Sequence, residues 1–133
     1  MVALTENAQK RLTIQTVEIA PNTTAIRSLD WDRDRFDIEF GLQNGTTYNS
    51  YLIKGDRIAL VDTAHTKFRD LYLDTLKSLV NPKAIDYIIV SHTEPDHSGL
   101  VEDVLQLAPR ATVLASKVAL QFLENLVQVR FIV

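Results

Sequence analysis

The 133-residue chain has no cysteine. That excludes disulfides, thiolate–metal sites and a cysteine nucleophile, and gives no support to an oxidising compartment. It also lacks any run of the roughly 18 to 20 apolar residues that a membrane span needs; its most apolar stretch is broken by Glu124 and Arg130. Neither sign of charge dominates, because 14 basic and 17 acidic residues leave a net charge of −3. Lysine and arginine form no cluster that marks a nucleic-acid face. Met1 to Arg11 hold no apolar core of signal-peptide length, and no repeat, low-complexity tract or linker divides the chain. These absences predict a cytoplasmic protein that contacts neither nucleic acid nor the membrane interior. The length is that of one domain, and it can bury a working core if its elements close on one another.

What is present centres on residues 85 to 99. Ile85, Ile88, Ile89 and Val90 form a β-branched run of the kind that fills a buried strand. Polarity then inverts, and four metal-capable side chains, His92, Glu94, Asp96 and His97, fall within six residues. In an extended segment alternate side chains share a face, so His92, Glu94 and Asp96 are expected to converge, with His97 beside Asp96. Pro95 is expected to stiffen the turn and Gly99 to let the chain bend. Imidazole with carboxylate favours iron before zinc. The competing reading is a solvated strand-to-helix turn in which Asp96 or Ser98 caps the next helix.

The remaining chain reads as strands followed by alternating helices and strands. Residues 1–11 are a flexible lead-in to one unit over 12–133. Leu12 to Ala20 and Ala25 to Leu29 are strands, separated by Pro21-Asn22. Asp30 to Arg35 reads as a solvated charged loop, with Trp31 its one side chain able to cover a site. Phe36 to Phe40 alternates, Asn44-Gly45 gives the strongest hairpin signal, and Tyr48 to Ile53 and Ile58 to Val61 continue an antiparallel meander. Asp62 ends the last apolar strand and, as a carboxylate there, needs hydrogen-bond partners. His65 has no ligand spacing and reads as a loop residue. Phe68, Leu71, Tyr72, Leu76, Leu79 and Val80 mark a helix from Thr66 to Val80. Leu100 to Leu107 marks a second helix, Thr112 to Ala115 a strand, and Ser116 the N-cap of a third helix over Val118 to Val127. The pattern predicts a mixed α/β sheet with helices on one face and the other left for a second sheet.

His92-Thr93-Glu94-Pro95-Asp96-His97-Ser98-Gly99 resembles the metal signature of the flavodiiron proteins, whose di-iron domain has the metallo-β-lactamase fold. Glu94 stands where hydrolases of that fold more usually carry a second histidine. The segments Trp31-Asp32-Arg33, Phe36 to Leu42 and Gly45 to Ile53 resemble the cyanobacterial diflavin type. The resemblance implies the N-terminal half of an αββα sandwich and an oxidoreductase passing electrons from NAD(P)H through FMN to reduce oxygen to water. It implies that His92 and Glu94 bind one iron, that Asp96 binds a second, that His97 binds or adjoins the second, and that Asp62 supports the loop. Further ligands and a flavodoxin-like domain are missing from the 133 residues, so FMN is not expected to bind this chain alone. The expectation is an incomplete domain, truncated or frameshifted, that is marginally stable and self-associates or joins a full-length relative. Two alternatives stay open: a small metallo-hydrolase, and a non-catalytic partner of such a relative.

Overall fold

The computed structural model describes residues 12–33, 35–37, 40–41 and 45–126. The lead-in at residues 1–11, Asn44 and the last residues of the chain lie outside them. Six strands form one mixed sheet: β1 (Leu12–Ala20), β2 (Thr23–Asp30), β5 (Thr46–Lys54), β6 (Ile58–Val61), β7 (Tyr87–Ile89) and β8 (Thr112–Leu114). They lie side by side in that order. The β1, β2, β5 and β6 pairings are antiparallel, and β6, β7 and β8 run parallel. Two short strands, β3 (Arg35–Asp37) and β4 (Phe40–Gly41), pair separately.

The strand expected from Phe36 to Phe40 is therefore divided, and it is not the partner of the strand that follows Gly45. β5 instead pairs over its length with β2, from Thr23 opposite Ile53 to Asp30 opposite Thr46. A local hairpin signal at Asn44-Gly45 loses to a long partner whose alternation matches its own. Gly45 nevertheless has a required role. Its φ is +74°, and a Cβ there would overlap the Asp30 carbonyl.

Alternation across the sheet sorts it into two faces. Leu52, Leu60, Ile88 and Val113 lie opposite one another in register and are all buried. Helix α1 (Arg69–Leu79) follows a 3-10 turn at Thr66–Phe68, and Phe68, Tyr72, Leu76 and Val80 enter the core. Leu71, expected inward, is 44% exposed, because its place on the turn falls outside the Phe68–Tyr72–Leu76 stripe. Asn81 ends the helix and accepts from the Lys83 N–H. Helix α3 (Val101–Leu107) buries Val101, Val104 and Leu105. Helix α4 (Lys117–Leu126) buries Leu120 and Leu123, and Ser116 Oγ accepts from the Ala119 N–H at its start.

The opposite face carries an apolar row that crosses every strand: Val17, Ala25, Tyr51, Val61, Ile89 and Leu114. Val17 and Leu114 at its ends are exposed, as is Ile53 on the same face. Sidedness of this kind, helices on one face and apolar side chains on the other, is the pattern expected from the sequence. No helix among the described residues is long and apolar enough to cross a membrane.

Candidate metal centre

Strands β6 and β7 run parallel, and the chemistry-bearing residues follow their C-terminal ends, where open α/β sheets place ligands. Asp62 directly follows β6 and takes a left-handed backbone, φ 57°. Such strain in a non-glycine residue costs about 1 to 3 kcal/mol and persists only where its surroundings hold it. Here they do. Its N–H donates to the Ile89 carbonyl at 2.8 Å, and its own carbonyl accepts from Ser50 Oγ at 2.9 Å. Its buried carboxylate accepts from the Ser91 N–H at 2.8 Å, from Ser91 Oγ at 2.5 Å and from His97 Nδ1 at 3.1 Å.

That last bond has a chemical consequence. With Nδ1 as the donor, His97 keeps its lone pair on Nε2, the nitrogen available to a metal. Nε2 lies 3.6 Å from Asp96 Oδ2. The His97 carbonyl accepts from both the N–H and Oγ1 of Thr63, each at 2.8 Å, so backbone and ring are fixed together.

The four signature residues do not converge. Pro95 opens a helical turn, α2 (Pro95–Ser98), so extended alternation stops at Glu94 and Asp96 leaves the face shared by His92 and Glu94. Asp96 is buried, whereas the His92 and Glu94 side chains are 54% and 59% exposed. They stand as two pairs, His92 with Glu94 at 3.8 Å and His97 with Asp96 at 3.6 Å, and the two imidazoles stack at 5.4 Å. Among the described residues, no three metal-capable side chains are placed to hold an ion. The Glu94 N–H donates to His92 Nδ1 at 3.2 Å, so His92 must release that contact to offer a lone pair at Nε2.

Gly99 lies in the turn between α2 and α3, as expected, with an ordinary φ of −57°. It is needed for close approach: a Cβ would meet the Pro95 carbonyl and come within 2.7 Å of the Ala64 carbonyl. The α2 turn can therefore sit on the loop that follows Asp62.

Next to this loop is a cavity of about 360 Å³ lined by Asp32, Arg33, His65, Lys67, Glu94, Pro95 and Asp96. Its cations are anchored from below by Asp30, which was expected in a solvated loop but is 1% exposed. Asp30 pairs with Lys67 and accepts from Tyr48 OH at 2.7 Å, and Tyr48 OH accepts from Arg33 at 2.8 Å. Burial, then the bond to Asp30, push the Tyr48 hydroxyl up to about 12, against the lowering pull of Arg33. The Arg33 guanidinium is raised by its hydrogen bond to Tyr48. His65, expected as a plain loop residue, caps the 3-10 turn by accepting the Lys67 N–H at Nδ1 and stacks on Tyr48 at 6.1 Å. Burial, then Lys67 and Arg33, lower its pKa and favour the neutral ring, which carries its proton on Nε2. Asp30, Arg33, His65 and Lys67 thus belong to the site region although no spacing marked them. The available signal was Asp30's place at the end of an apolar strand, the same feature that marked Asp62. Trp31, in contrast, is turned away: it does not line the cavity and donates to Thr13 Oγ1 at 2.9 Å.

Comparison with known proteins places this arrangement. The chain is 85% identical over 125 residues to diflavin flavoprotein A 2 of Nostoc sp., covering 94% of this chain and 22% of that protein. It is 73% identical over 123 residues to diflavin flavoprotein A 1 of Synechocystis sp., covering 92% and 22%. It therefore spans about a fifth of the length of these relatives. Its fold superposes on a metal-soaked flavodiiron core from Synechocystis sp. with a TM-score of 0.80 and 43% identity, over 86% of this chain and 28% of that one. The family model described as ODP family beta lactamase matches residues 46–132, which include β5 to β8 and the whole signature loop. By that match, the chain belongs to the ODP family of β-lactamase-like domains.

Proposed function

We propose that the loop supplies part of the metal centre of a flavodiiron-type oxidoreductase, with His92 and Glu94 toward one iron, Asp96 toward a second, and His97 on or beside the second. The observation that carries this reading is the bond from His97 Nδ1 to the buried Asp62 carboxylate, which leaves Nε2 as the free lone pair beside Asp96. The donor set suits iron, since carboxylates mixed with imidazoles shift preference away from zinc. Glu94 in place of a histidine supports the redox branch over the hydrolytic one. For the assembled protein we propose electron flow from NAD(P)H through FMN to oxygen, in line with relatives named diflavin flavoproteins. When bound, an iron pair would supply a place for oxygen and a store for electrons.

The protein's own residues do the positioning. Asp62 and Ser91 hold the His97 ring, and Thr63 holds its backbone. Asp30 steadies Lys67, and through Tyr48 also Arg33, so two cations face Glu94 and Asp96 across the cavity and offset their charge. The His92 and Glu94 side chains are exposed and can turn inward once His92 releases the Glu94 N–H. A two-metal centre needs more ligands than these four.

The test is metal content per chain after anaerobic loading of the metal-free protein with iron and zinc in competition. Stoichiometric iron, reduced about tenfold or more in His97→Ala and Asp96→Asn, is the expected result. Zinc alone, with thioesterase activity, would replace the reading with the hydrolase. Metal retained equally by His97→Ala and Asp96→Asn would overturn it.

A further inference from the structure

At the other end of the same parallel strands is a second cavity, of about 210 Å³, lined by Arg57, Lys83, Ala84, Ile85, Asp86, Tyr87, Arg110 and Thr112. Arg57 precedes β6, Asp86 precedes β7 and Arg110 comes shortly before β8, so three connections bring their charges together. Three cations face one carboxylate there, an excess of two positive charges on a chain whose net charge is −3. The carboxylate is already engaged. Asp86 Oδ2 accepts the Ile58 N–H at 2.8 Å, and Oδ1 lies 4.0 Å from Arg57. Among the described residues, neither Lys83 nor Arg110 has an acidic partner.

The floor of the cavity is fixed. The Ala84 and Ile85 N–H groups donate to the carbonyls of Asn81 and Pro82, the Asp86 N–H to Ile58, and the Thr112 N–H to the Asp86 carbonyl, at 2.9 to 3.1 Å. These four backbone donors are spent, so the charged groups left to hold a guest are the side chains of Arg57, Lys83 and Arg110. These approach from three separate elements, which suits a tetrahedral dianion with several accepting oxygens better than a carboxylate with two. The volume lies below the roughly 300 Å³ at which pockets for drug-sized ligands begin. From this geometry we infer that the cavity is an anion site for a phosphate group, free or on a small ester. It is independent of the metal centre, which lies at the opposite strand ends.

The test is a titration of resin-treated, metal-free, 15N-labelled chain with inorganic phosphate in about 25 mM NaCl, where screening is weak. Saturable shifts at residues 57, 83–87 and 110–112 are expected, with affinity falling about tenfold or more in the Lys83→Gln/Arg110→Gln variant. Both side chains are exposed, so the variant keeps the fold, which its spectral dispersion reports. Arg57→Gln gives an independent second check. Adenosine monophosphate serves as the ester arm: binding tighter than phosphate assigns the site to esters, and weaker binding assigns it to the free anion. The inference is overturned by shifts that NaCl of equal ionic strength reproduces, by equal affinity in the variants, by succinate binding as tightly as phosphate, or by shifts confined to residues 92–97.

Discussion

The two ends of strands β6 to β8 solve opposite problems with charged side chains. At the C-terminal ends a buried carboxylate, Asp62, is surrounded by donors from Ser91 and His97, and another, Asp30, by Tyr48 and Lys67. At the N-terminal ends Arg57, Lys83 and Arg110 stand in water around a single half-exposed Asp86. Burial makes each bond at the first end hard to lose, because an orphaned group keeps its desolvation cost. Exposure makes the second end cheap to alter and sensitive to salt. One end is built for fixed geometry and the other for reversible charge.

Substitutions can break that contrast. The largest effect is expected from Gly99→Ala, whose new methyl meets two backbone carbonyls; a loss of about 3 kcal/mol or more in urea unfolding is the expected outcome. An unchanged midpoint would show that the α2 turn can lift off the Asp62 loop without penalty. Asp62→Ala should cost about 2 to 4 kcal/mol by leaving Ser91 and His97 without their acceptor, and Asp62→Asn less, since one oxygen remains.

Tyr48→Phe removes the hydroxyl between Arg33 and Asp30 and should cost about 1 to 2 kcal/mol. It should also change the alkaline limb. The unfolded chain releases the Tyr48 proton near pH 10 and the folded one near 12, so stability falls as pH rises through that window. Tyr72, raised by its burial, acts in the same direction. Thermal midpoints across this range should decline less steeply in Tyr48→Phe. His65 has the reverse sign: burial lowers its pKa, so its contribution is present above about pH 6.5 and is lost as pH falls through the folded value. His65→Gln should flatten the acid limb between pH 7 and 5, again read from thermal midpoints. The smallest effect belongs to the basic end. Lys83→Gln and Arg110→Gln should each stay within about 0.5 kcal/mol of the parent in urea unfolding; a loss of the size expected for Asp62→Ala would erase the distinction between the ends.

Periodicity made most of the sheet legible. The β1 bounds agree with the sequence reading, whereas the buried row Leu52, Leu60, Ile88 and Val113 is singled out only by the strand pairing, since three of its four strands are apolar runs without alternation. The pairing of β5 with β2 was not legible, because a nearby Asn44-Gly45 turn looks stronger in sequence than a distant strand of similar length. That Asp62 needs hydrogen-bond partners was readable from a carboxylate at a strand end, and they are in place, whereas its support of the loop was implied only by the family resemblance. The convergence of His92, Glu94 and Asp96 was misread because an extended period was carried past Pro95, where a helical one begins. The Asp30–Tyr48–Arg33 chain and His65 were hidden for another reason. Their contacts join β2, β5 and the Asp62 loop, and no spacing within one segment encodes a meeting of three.

The apolar row on the open face has a thermodynamic meaning beyond its shape. Val61 of that row is bonded directly to Asp62, and Ile89 lies two residues before Ser91, so the strands that present the row also carry the groups that aim His97. Whatever covers the row binds the folded arrangement and not the unfolded chain, and so stabilises it by mass action. The aim of the His97 ring is thereby tied to the far side of the sheet: any contact made on the apolar row of the folded state also stabilises the strands that hold the histidine.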